Sequence, residues 1–478
     1  MIEIHETVRG VLRTLMENGH DAYAVGGCVR DVLMKRAPQD WDITTNASPV
    51  RIQELFPDSF YENRFGTVTV KTGDENPELA QIEVTPFRKE GVYTDRRHPD
   101  DIAFAESIGE DLSRRDFTIN AVALDADGHV VDPFDGRADI KAKLVRAVGN
   151  PAERFNEDAL RLMRAVRFAT TLGFDIEPAT YAAITSNARH LNDIAPERIR
   201  DEFVKIVMSE RASDGIQLLE DTGLLKYIIP ELREGLGVEQ NLHHIYTVWE
   251  HNLRALQYAA DKGYSFEVRL GCLLHDVGKP ATKKGEGRNC TFYAHDIVGA
   301  RQVKGIMSRL KFSRSVSYKV WLLVRYHLFY YNVGEVTESS VRRLITKVGL
   351  ENMDDLLRVR EGDRIGSGTP KAVPYKLRHL KYVIDKVSHD PISPKMLAVK
   401  GNDIMAELDI PAGPKVGLIL NSLLAEVLDD PSKNTDDHLK KRMHELNERT
   451  PEELKQALER IERALEAEEK KRMKKYYV

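Results

Sequence analysis

The sequence predicts a mainly helical, multidomain protein that opens with a small mixed α/β domain. Three observations carry that prediction. The chain has 478 residues, and at about 100–200 residues per domain that length implies two to four domains. Strand-like alternation of apolar and polar residues stops near residue 145. Beyond Asn150 almost every stretch has helical period, broken by short turns such as Thr222-Gly223 and Gly235-Leu236-Gly237.

In chain order, Val8, Leu12, Leu15 and Met16 recur at helical spacing, and Gly19 can end that helix. Ala22–Val25 reads as a short strand, Gly26-Gly27 as a turn, and about 29–34 as a second helix. Further strands are expected at 42–44, 65–71, 81–85 and 122–125. Junctions are expected at 148–151, 234–240 and the Gly/Pro-rich 366–374, and no internal repeat is evident. From Thr450 onward Glu, Lys and Arg alternate as on a solvated, salt-bridged helix. Its basic end, Lys470-Lys471-Arg472 and Lys474-Lys475, also suits an RNA backbone.

Composition excludes several classes. With 75 acidic and 70 basic residues the formal net charge is −5, and 30% of residues are charged against 42% hydrophobic. This argues against long disorder, a collagen-like chain or a disulfide scaffold. A nucleic-acid site on so mildly acidic a body must be a local basic surface. Cys28, Cys272 and Cys290 have no CxxC spacing, which fits a reducing cytoplasm better than a disulfide framework or structural zinc. No signal-like segment opens the chain, and no run approaches the roughly 18 apolar residues of a membrane span. A cytoplasmic protein without a membrane partner is expected.

Chemistry concentrates first at Gly26-Gly27-Cys28-Val29-Arg30-Asp31 and Asp40-Trp41-Asp42. A double glycine between strand and helix lets backbone approach a phosphate, at a helix N-terminus whose free N–H groups favour anions. Arg30 would add a charge-assisted contact. Asp40 and Asp42, two apart on a strand, are expected on one face. Two convergent carboxylates are costly without a cation between them, and hard oxygen ligands suit Mg²⁺.

Asp158, Arg161, Arg164 and Arg167 recur every three residues on what reads as one helix, with Leu160, Met163, Val166 and Phe168 as apolar neighbours. A salt-bridged helix with Glu157 supporting Arg161 is the plain alternative, worth only a few tenths of a kcal/mol.

These segments resemble the class II nucleotidyltransferases, which comprise the CCA-adding enzymes and the bacterial poly(A) polymerases. GGCVRDVLMKRAPQDWDITTNASP resembles the family signature. RRDFTINAVAL (114–124), NEDALRLMRAVRFATTLGF (156–174) and ERIRDEF (197–203) resemble its next motifs, in order. The resemblance implies that Asp40 and Asp42 bind the metals of a two-metal polymerase, with Glu83 as candidate third carboxylate. It implies nucleotide contacts from Gly26, Gly27, Arg30 and Arg115. It also implies that Asp158 and Arg161 read the incoming base in place of a template, while Arg164 and Arg167 hold phosphates or the pocket. An aspartate accepts from the exocyclic amine that C and A share, whereas U and G present a carbonyl there. The segment 85–104 resembles the flexible loop of full CCA-adding and A-adding enzymes, a gate that resets the pocket.

A second constellation lies in the helical half: His251, His275-Asp276, His295, His327 and Asp363. A lone His on an apolar helix is usually a core residue. His275-Asp276 after the apolar run 270–274 is different, because burying an unpaired carboxylate is expensive and a divalent ion would resolve it. The set resembles the HD phosphohydrolase pattern. His251, His275, Asp276 and Asp363 fit its core ligands, His295 and His327 its extra ones, and Lys279 could contact phosphate. The metal is expected to be a divalent transition ion such as Mn²⁺, Co²⁺ or Ni²⁺. A helical scaffold without activity is the alternative. Residues 397–435 resemble the tail of bacterial CCA-adding enzymes, which would place the tRNA elbow at Gly413-Pro414-Lys415-Val416-Gly417.

The expectation is therefore a polymerase-beta-like head at 1–147, a nucleotide-selecting neck at 148–236, an HD domain at 237–372 and a tRNA-binding helical tail at 373–478. The implied reaction adds CMP, CMP and AMP from CTP and ATP to tRNA 3′ ends and releases pyrophosphate. An A-adding enzyme that completes tRNAs ending in CC is the nearest rival. Poly(A) polymerase is disfavoured by the HD pattern and the net charge. A phosphohydrolase with an inert head is disfavoured by the intact Asp40, Asp42, Arg115 and Arg161.

Overall fold

The computed structural model describes residues 2–61, 66–89, 103–241 and 245–476. The chain divides into two compact units, one of residues 1–233 with 309–311 and one of 234–308 with 312–478.

The first unit opens with helix Glu6–Glu17, which buries Val8, Val11, Leu12 and Leu15. A seven-stranded sheet follows, in the order Ser59–Tyr61, Val68–Lys71, Gln81–Pro86, Asp42–Thr45, Ala22–Val25, Ala123–Leu124, Val130–Val131. Asp42–Thr45 and Gln81–Pro86 run parallel, and every other pair in this sheet is antiparallel. Strand period two sorts the side chains. Ile43, Val68, Val70, Ile82 and Val84 join Val8, Leu12 and Leu15 in one core. The register leaves Asp42 beside Glu83, and Glu83 beside Thr69, on the other face.

The second helix begins at Gly27 rather than near 29, because Gly26 at φ 84° turns the chain directly from strand to helix. Asp40 falls in the bend before its strand, which starts at Asp42, so only one of the two aspartates sits on the ladder. The strand Ser59–Tyr61 was not expected from the sequence. Most of the loop expected at 85–104 lies outside the described residues, but a two-residue ladder joins Arg88–Lys89 to Ala103–Phe104.

Helices Leu160–Leu172, Pro196–Met208 and Ala212–Asp221 complete this unit. They bury Leu162, Met163, Val166, Phe203, Ile206, Ile216 and Leu219. Asp158 does not continue the helix that carries the arginines. It lies extended (φ −137°, ψ 105°) in a break after helix Pro151–Glu157. Its carboxylate accepts the Leu160 N–H at 2.9 Å, the local bond by which aspartate competes with helix continuation.

In the second unit, helices Val248–Asp261, Phe266–Leu274, Arg314–Tyr326 and Leu350–Gly366 enclose a core that includes Ala255, Cys272, Leu322, Leu323, Leu356 and Val359. Further along, Leu397, Ile404, Ile419, Leu423, Leu439 and Met443 form a separate cluster. The charged segment after Thr450 is the helix Pro451–Tyr476. Of its basic end, the side chains of Lys470, Arg472, Lys474 and Lys475 lie outside the described ones. Among the described residues no helix is long and apolar enough to cross a membrane.

Two local devices set the backbone around the histidines. Thr247 and Glu250 form a reciprocal capping box at the start of helix Val248–Asp261, one residue before His251. Gly278 approaches the next histidine helix so closely that a Cβ there would stand 2.3 Å from the His295 carbonyl oxygen and 2.5 Å from the Gly299 nitrogen. Thr247→Ala should therefore cost about 1 kcal/mol. Gly278→Ala should cost more, about 1–3 kcal/mol of overpacking. Urea unfolding would rank the two, and a harmless alanine at 278 would show that this approach is not tight.

Candidate active site and metal centre

The head site is built at the C-terminal end of the interior strand Ala22–Val25, where the chain turns at Gly26. A Cβ on Gly26 would meet the Arg115 guanidinium at 3.0 Å and the Asp42 carboxylate at 3.6 Å, so turn, cation and carboxylate converge. Burial, with Asp40 and Glu83 beside it, pushes the Asp42 carboxyl up to about 6, and Arg115 pulls the other way. Asp42 and Glu83 are ladder neighbours and Asp40 is near enough to raise Asp42, but the three do not form a group whose oxygens all lie within 4.8 Å of one another. Arg115 and Arg114 are held by Asp111, at 3.2 and 2.7 Å. Burial would raise Asp111, but these two arginines outweigh it and hold its carboxyl below the usual range. Arg30 donates to Asn120 at 2.8 Å and pairs with Asp31 at 2.9 Å.

The arginines of the following helix are all engaged. Arg161 pairs with Glu157 at 2.5 Å, the i,i+4 bridge foreseen as the plain alternative. Arg164 donates to Asp116 at 2.6 Å and Arg167 to Glu202 at 2.5 Å. Arg198 holds Asp158 at 2.8 Å. Glu197, Arg198 and Glu202 all lie in ERIRDEF, so this motif braces both Asp158 and Arg167. The Phe168 ring sits among three guanidinium groups, Arg167 at 3.8 Å and Arg30 and Arg164 each at 5.4 Å from its centre.

In the second unit six residues that the sequence spreads over more than a hundred positions meet in one buried cluster. His251 Nε2 lies 2.8 Å from His275 Nε2, 3.0 Å from Asp276 Oδ2 and 3.4 Å from Asp363 Oδ1. The other Asp276 oxygen faces His295 at 3.3 Å and His327 at 3.7 Å. Two ligand groups result, His251–His275–Asp363 and Asp276–His295–His327, with Asp276 between them. The sequence reading had placed one divalent ion here.

The donor set fits divalent ions. His275, His295 and His327 each place Nδ1 2.7 Å from the carbonyl three residues earlier, of Cys272, Phe292 and Val324. In a neutral imidazole that bond would place the proton on Nδ1 and turn Nε2 to the cluster, the arrangement of metal-ligating histidines. Without a metal, burial would lower the His275 pKa, but Asp276 and Asp363 push it up to about 10, so its Nε2 also carries a proton. Burial would raise Asp276 and Asp363. Lys279 and His275 on Asp276, and Arg360 and the histidines on Asp363, instead hold both carboxyls well below the usual range. Lys279 lies 2.6 Å from Asp276, and Arg360 lies 2.5 Å from Asp363.

Three segments of the chain match known domain families. Residues 22–146 match the poly A polymerase head domain, 173–236 the "probable RNA and SrmB- binding site of polymerase A", and 248–360 the HD domain. A head of this type followed by an HD domain defines a nucleotidyltransferase-like protein with a second, HD-type module. The CCA-adding enzyme of Limosilactobacillus fermentum is 46% identical over 236 residues, 48% of this chain and 56% of that one. The CCA-adding enzyme of Lactococcus lactis is 46% identical over 225 residues, 47% of this chain and 56% of that one. The chain thus spans about half the length of the curated relatives it matches. The Bacillus stearothermophilus CCA-adding enzyme, solved in complex with CTP, is 28% identical, with a TM-score of 0.66 over 93% of this chain and 97% of that one. The chain is thus similar to bacterial CCA-adding enzymes and carries matches to the poly A polymerase head and HD domain models.

Asp111, Asp116, Asn120, Arg198 and Glu202, which hold the expected arginines and Asp158, were not singled out from the sequence. Only ERIRDEF, which contains Arg198 and Glu202, and RRDFTINAVAL, which contains Asp116 and Asn120, carried any signal for them.

The crowding at Asp42 has a thermodynamic signature. Its folded pKa of about 6 lies above the ordinary carboxylate value of 3.8. Ionisation therefore destabilises the metal-free fold: the cost is absent below about pH 4, grows towards pH 6 and is complete above it. Asp42→Asn should stabilise metal-free protein by about 1–3 kcal/mol at neutral pH and by nothing near pH 4. Denaturant unfolding at the two pH values reads this directly, and a pH-independent difference would refute the crowding.

Proposed function

We propose that this chain adds CMP, CMP and AMP to tRNA 3′ ends from CTP and ATP, releasing pyrophosphate, without a nucleic-acid template. The observation that carries this reading is the placing of Asp42 and Glu83, with Asp40 nearby, beside Arg115 and the Gly26 turn. Mg²⁺ held by Asp40 and Asp42 would neutralise the triphosphate and favour the ionised RNA 3′-hydroxyl. Gly26 and Gly27 give the phosphates room, and Arg30 and Arg115 add positive charge. Asp158 and Arg161 read the base edge. Arg164 and Arg167, pinned by Asp116 and Glu202, support the pocket wall. The division proposed is head 1–147, neck 148–236, HD domain 237–372 and tRNA-binding tail 373–478. The tail's Gly413 precedes helix Pro414–Asp429, and Lys415 there donates to the Asn447 carbonyl.

The HD cluster supports a second, phosphohydrolase activity. Divalent ions held by His251, His275 and Asp363 and by Asp276, His295 and His327 would supply a Lewis acid and an activated water, and Lys279, once released from Asp276, would meet phosphate.

Single-turnover incorporation on tRNAs ending before the CCA, after one C and after two Cs tests the first activity. Stepwise completion of all three is expected, whereas A addition to the CC-ended tRNA alone would make the protein an A-adding specialist. Asp42→Ala should abolish incorporation with tRNA affinity little changed, and retained incorporation would remove Asp42 from the reaction. Metal analysis tests the second site: stripped protein reloaded with Mn²⁺ should bind two ions at the two ligand groups. Asp276→Ala should lose both ions and any phosphatase activity while keeping tailing. Equal loss of both activities would make the HD module a scaffold.

A further inference from the structure

Asn120 is a buried amide that neither proposed reaction uses, and it lies between two of the expected arginines. It closes the short turn Thr118–Asn120 and is 6% exposed. Its Oδ1 accepts from Arg30 Nη1 at 2.8 Å, and its Nδ2 donates to Asp116 Oδ1 at 3.3 Å. The other Asp116 oxygen accepts from Arg164 Nε at 2.6 Å. A continuous chain of polar contacts therefore runs Arg30–Asn120–Asp116–Arg164, from helix Gly27–Leu33 to helix Leu160–Leu172. The same two guanidinium groups each lie 5.4 Å from the centre of the Phe168 ring.

The ends of this chain dictate what can stand in its middle. A guanidinium only donates, and an ionised carboxylate only accepts. Burial would raise Asp116, but Arg164 and Arg161 outweigh it and hold its carboxyl below the usual range, so it is ionised. The side chain between Arg30 and Asp116 must accept at one end and donate at the other. An amide does both on one rigid plane, whereas a carboxylate there could not donate and a cation could not accept. The same requirement fixes which way the amide is turned. Arg30 has a second restraint, since its Nε and Nη2 reach Asp31 Oδ1, each at 2.9 Å. Its Nη2 stands 3.7 Å from where a Cβ on Gly27 would lie, so the held fork rests against the glycine turn. A free arginine loses side-chain entropy when it grips a phosphate, and one already held by its neighbours does not.

We propose that Asn120 is a positioning residue for nucleotide binding: it holds Arg30 to the Asp116–Arg164 pair, so that the triphosphate contact of the head and the pocket wall of the neck form one rigid unit. This rests on the proposed function in taking Arg30 as a contact of the nucleotide's triphosphate.

Equilibrium binding of CTP and of ATP to the full chain with Mg²⁺, read by calorimetry on Asn120→Ala, Arg30→Ala and the double variant, tests it. Asn120→Ala alone should weaken both nucleotides by about tenfold, the worth of a hydrogen bond to a charged group. In the Arg30→Ala background it should weaken them no further, because both changes remove the same contact. Additive losses would mean that Asn120 acts through the general fold and would overturn the relay, as would unchanged binding by Asn120→Ala. Asn120→Ser, whose single hydroxyl is too short to span both partners, is the second variant and should follow the alanine. If both variants fail to fold, Asn120 is a fold residue and the proposal falls. Incorporation of CMP and AMP into tRNA by the wild type separates the relay from the reading it rests on. Incorporation with an additive cycle removes the relay alone. A non-additive cycle without any incorporation supports the relay and removes the tailing activity. A wild type that binds neither nucleotide overturns both.

Discussion

The first unit depends on a set of carboxylate–guanidinium pairs that reach across long stretches of sequence. Asp116 holds Arg164, Glu202 holds Arg167, and Arg198 holds Asp158. Each joins a loop or helix to the neighbourhood of helix Leu160–Leu172, where the apolar contacts of Met163 and Val166 set distance but not rotation. Removing one partner from such a half-buried pair leaves the other charge unpaired, which costs far more than a surface bridge. Phe168 extends the constraint, because three guanidinium groups converge on its ring. In the proposed function these side chains face a nucleotide, where they are useful only if held still, and these pairs hold them.

Both proposed sites rest on crowded carboxylates, handled in different ways. At the head, burial together with Asp40 and Glu83 pushes the Asp42 carboxyl up, and among the described residues Arg115 opposes them. In the HD cluster, Asp276 and Asp363 have enough positive and hydrogen-bonding partners that both are held down. The first is a site whose charge is balanced only by something that arrives. The second is balanced internally by Lys279 and Arg360, which an entering cation would have to displace or share.

Much of the fold was legible because local signals sufficed. Strand Ala22–Val25, the Gly26 turn and the helical half follow from period and from glycine's access to positive φ. Helix Pro451–Tyr476 follows from charge alternation. The break at Asp158 was not legible, because apolar spacing runs through it and only the Asp158–Leu160 bond ends the first helix. Asp40 was placed on the strand because period two says nothing about where a strand starts. Among site residues the sequence brought forward those whose type announces chemistry. It left out Asp111, Asp116 and Glu202, whose partners lie up to 48 positions away and whose pairing only the folded chain reveals. The division of the histidines into two groups was hidden for the same reason, since spacing does not say which Asp276 oxygen each one faces.

The position of Asp276 between the two histidine groups has a consequence for occupancy. An ion on either side would orient the carboxylate and draw Lys279 away from it, so part of the cost of organising the second position is met by the first. Loading of the two positions would then be coupled, and by linkage each ion would change the other's affinity by the same factor, the gain at Asp276 set against the repulsion of two neighbouring dications.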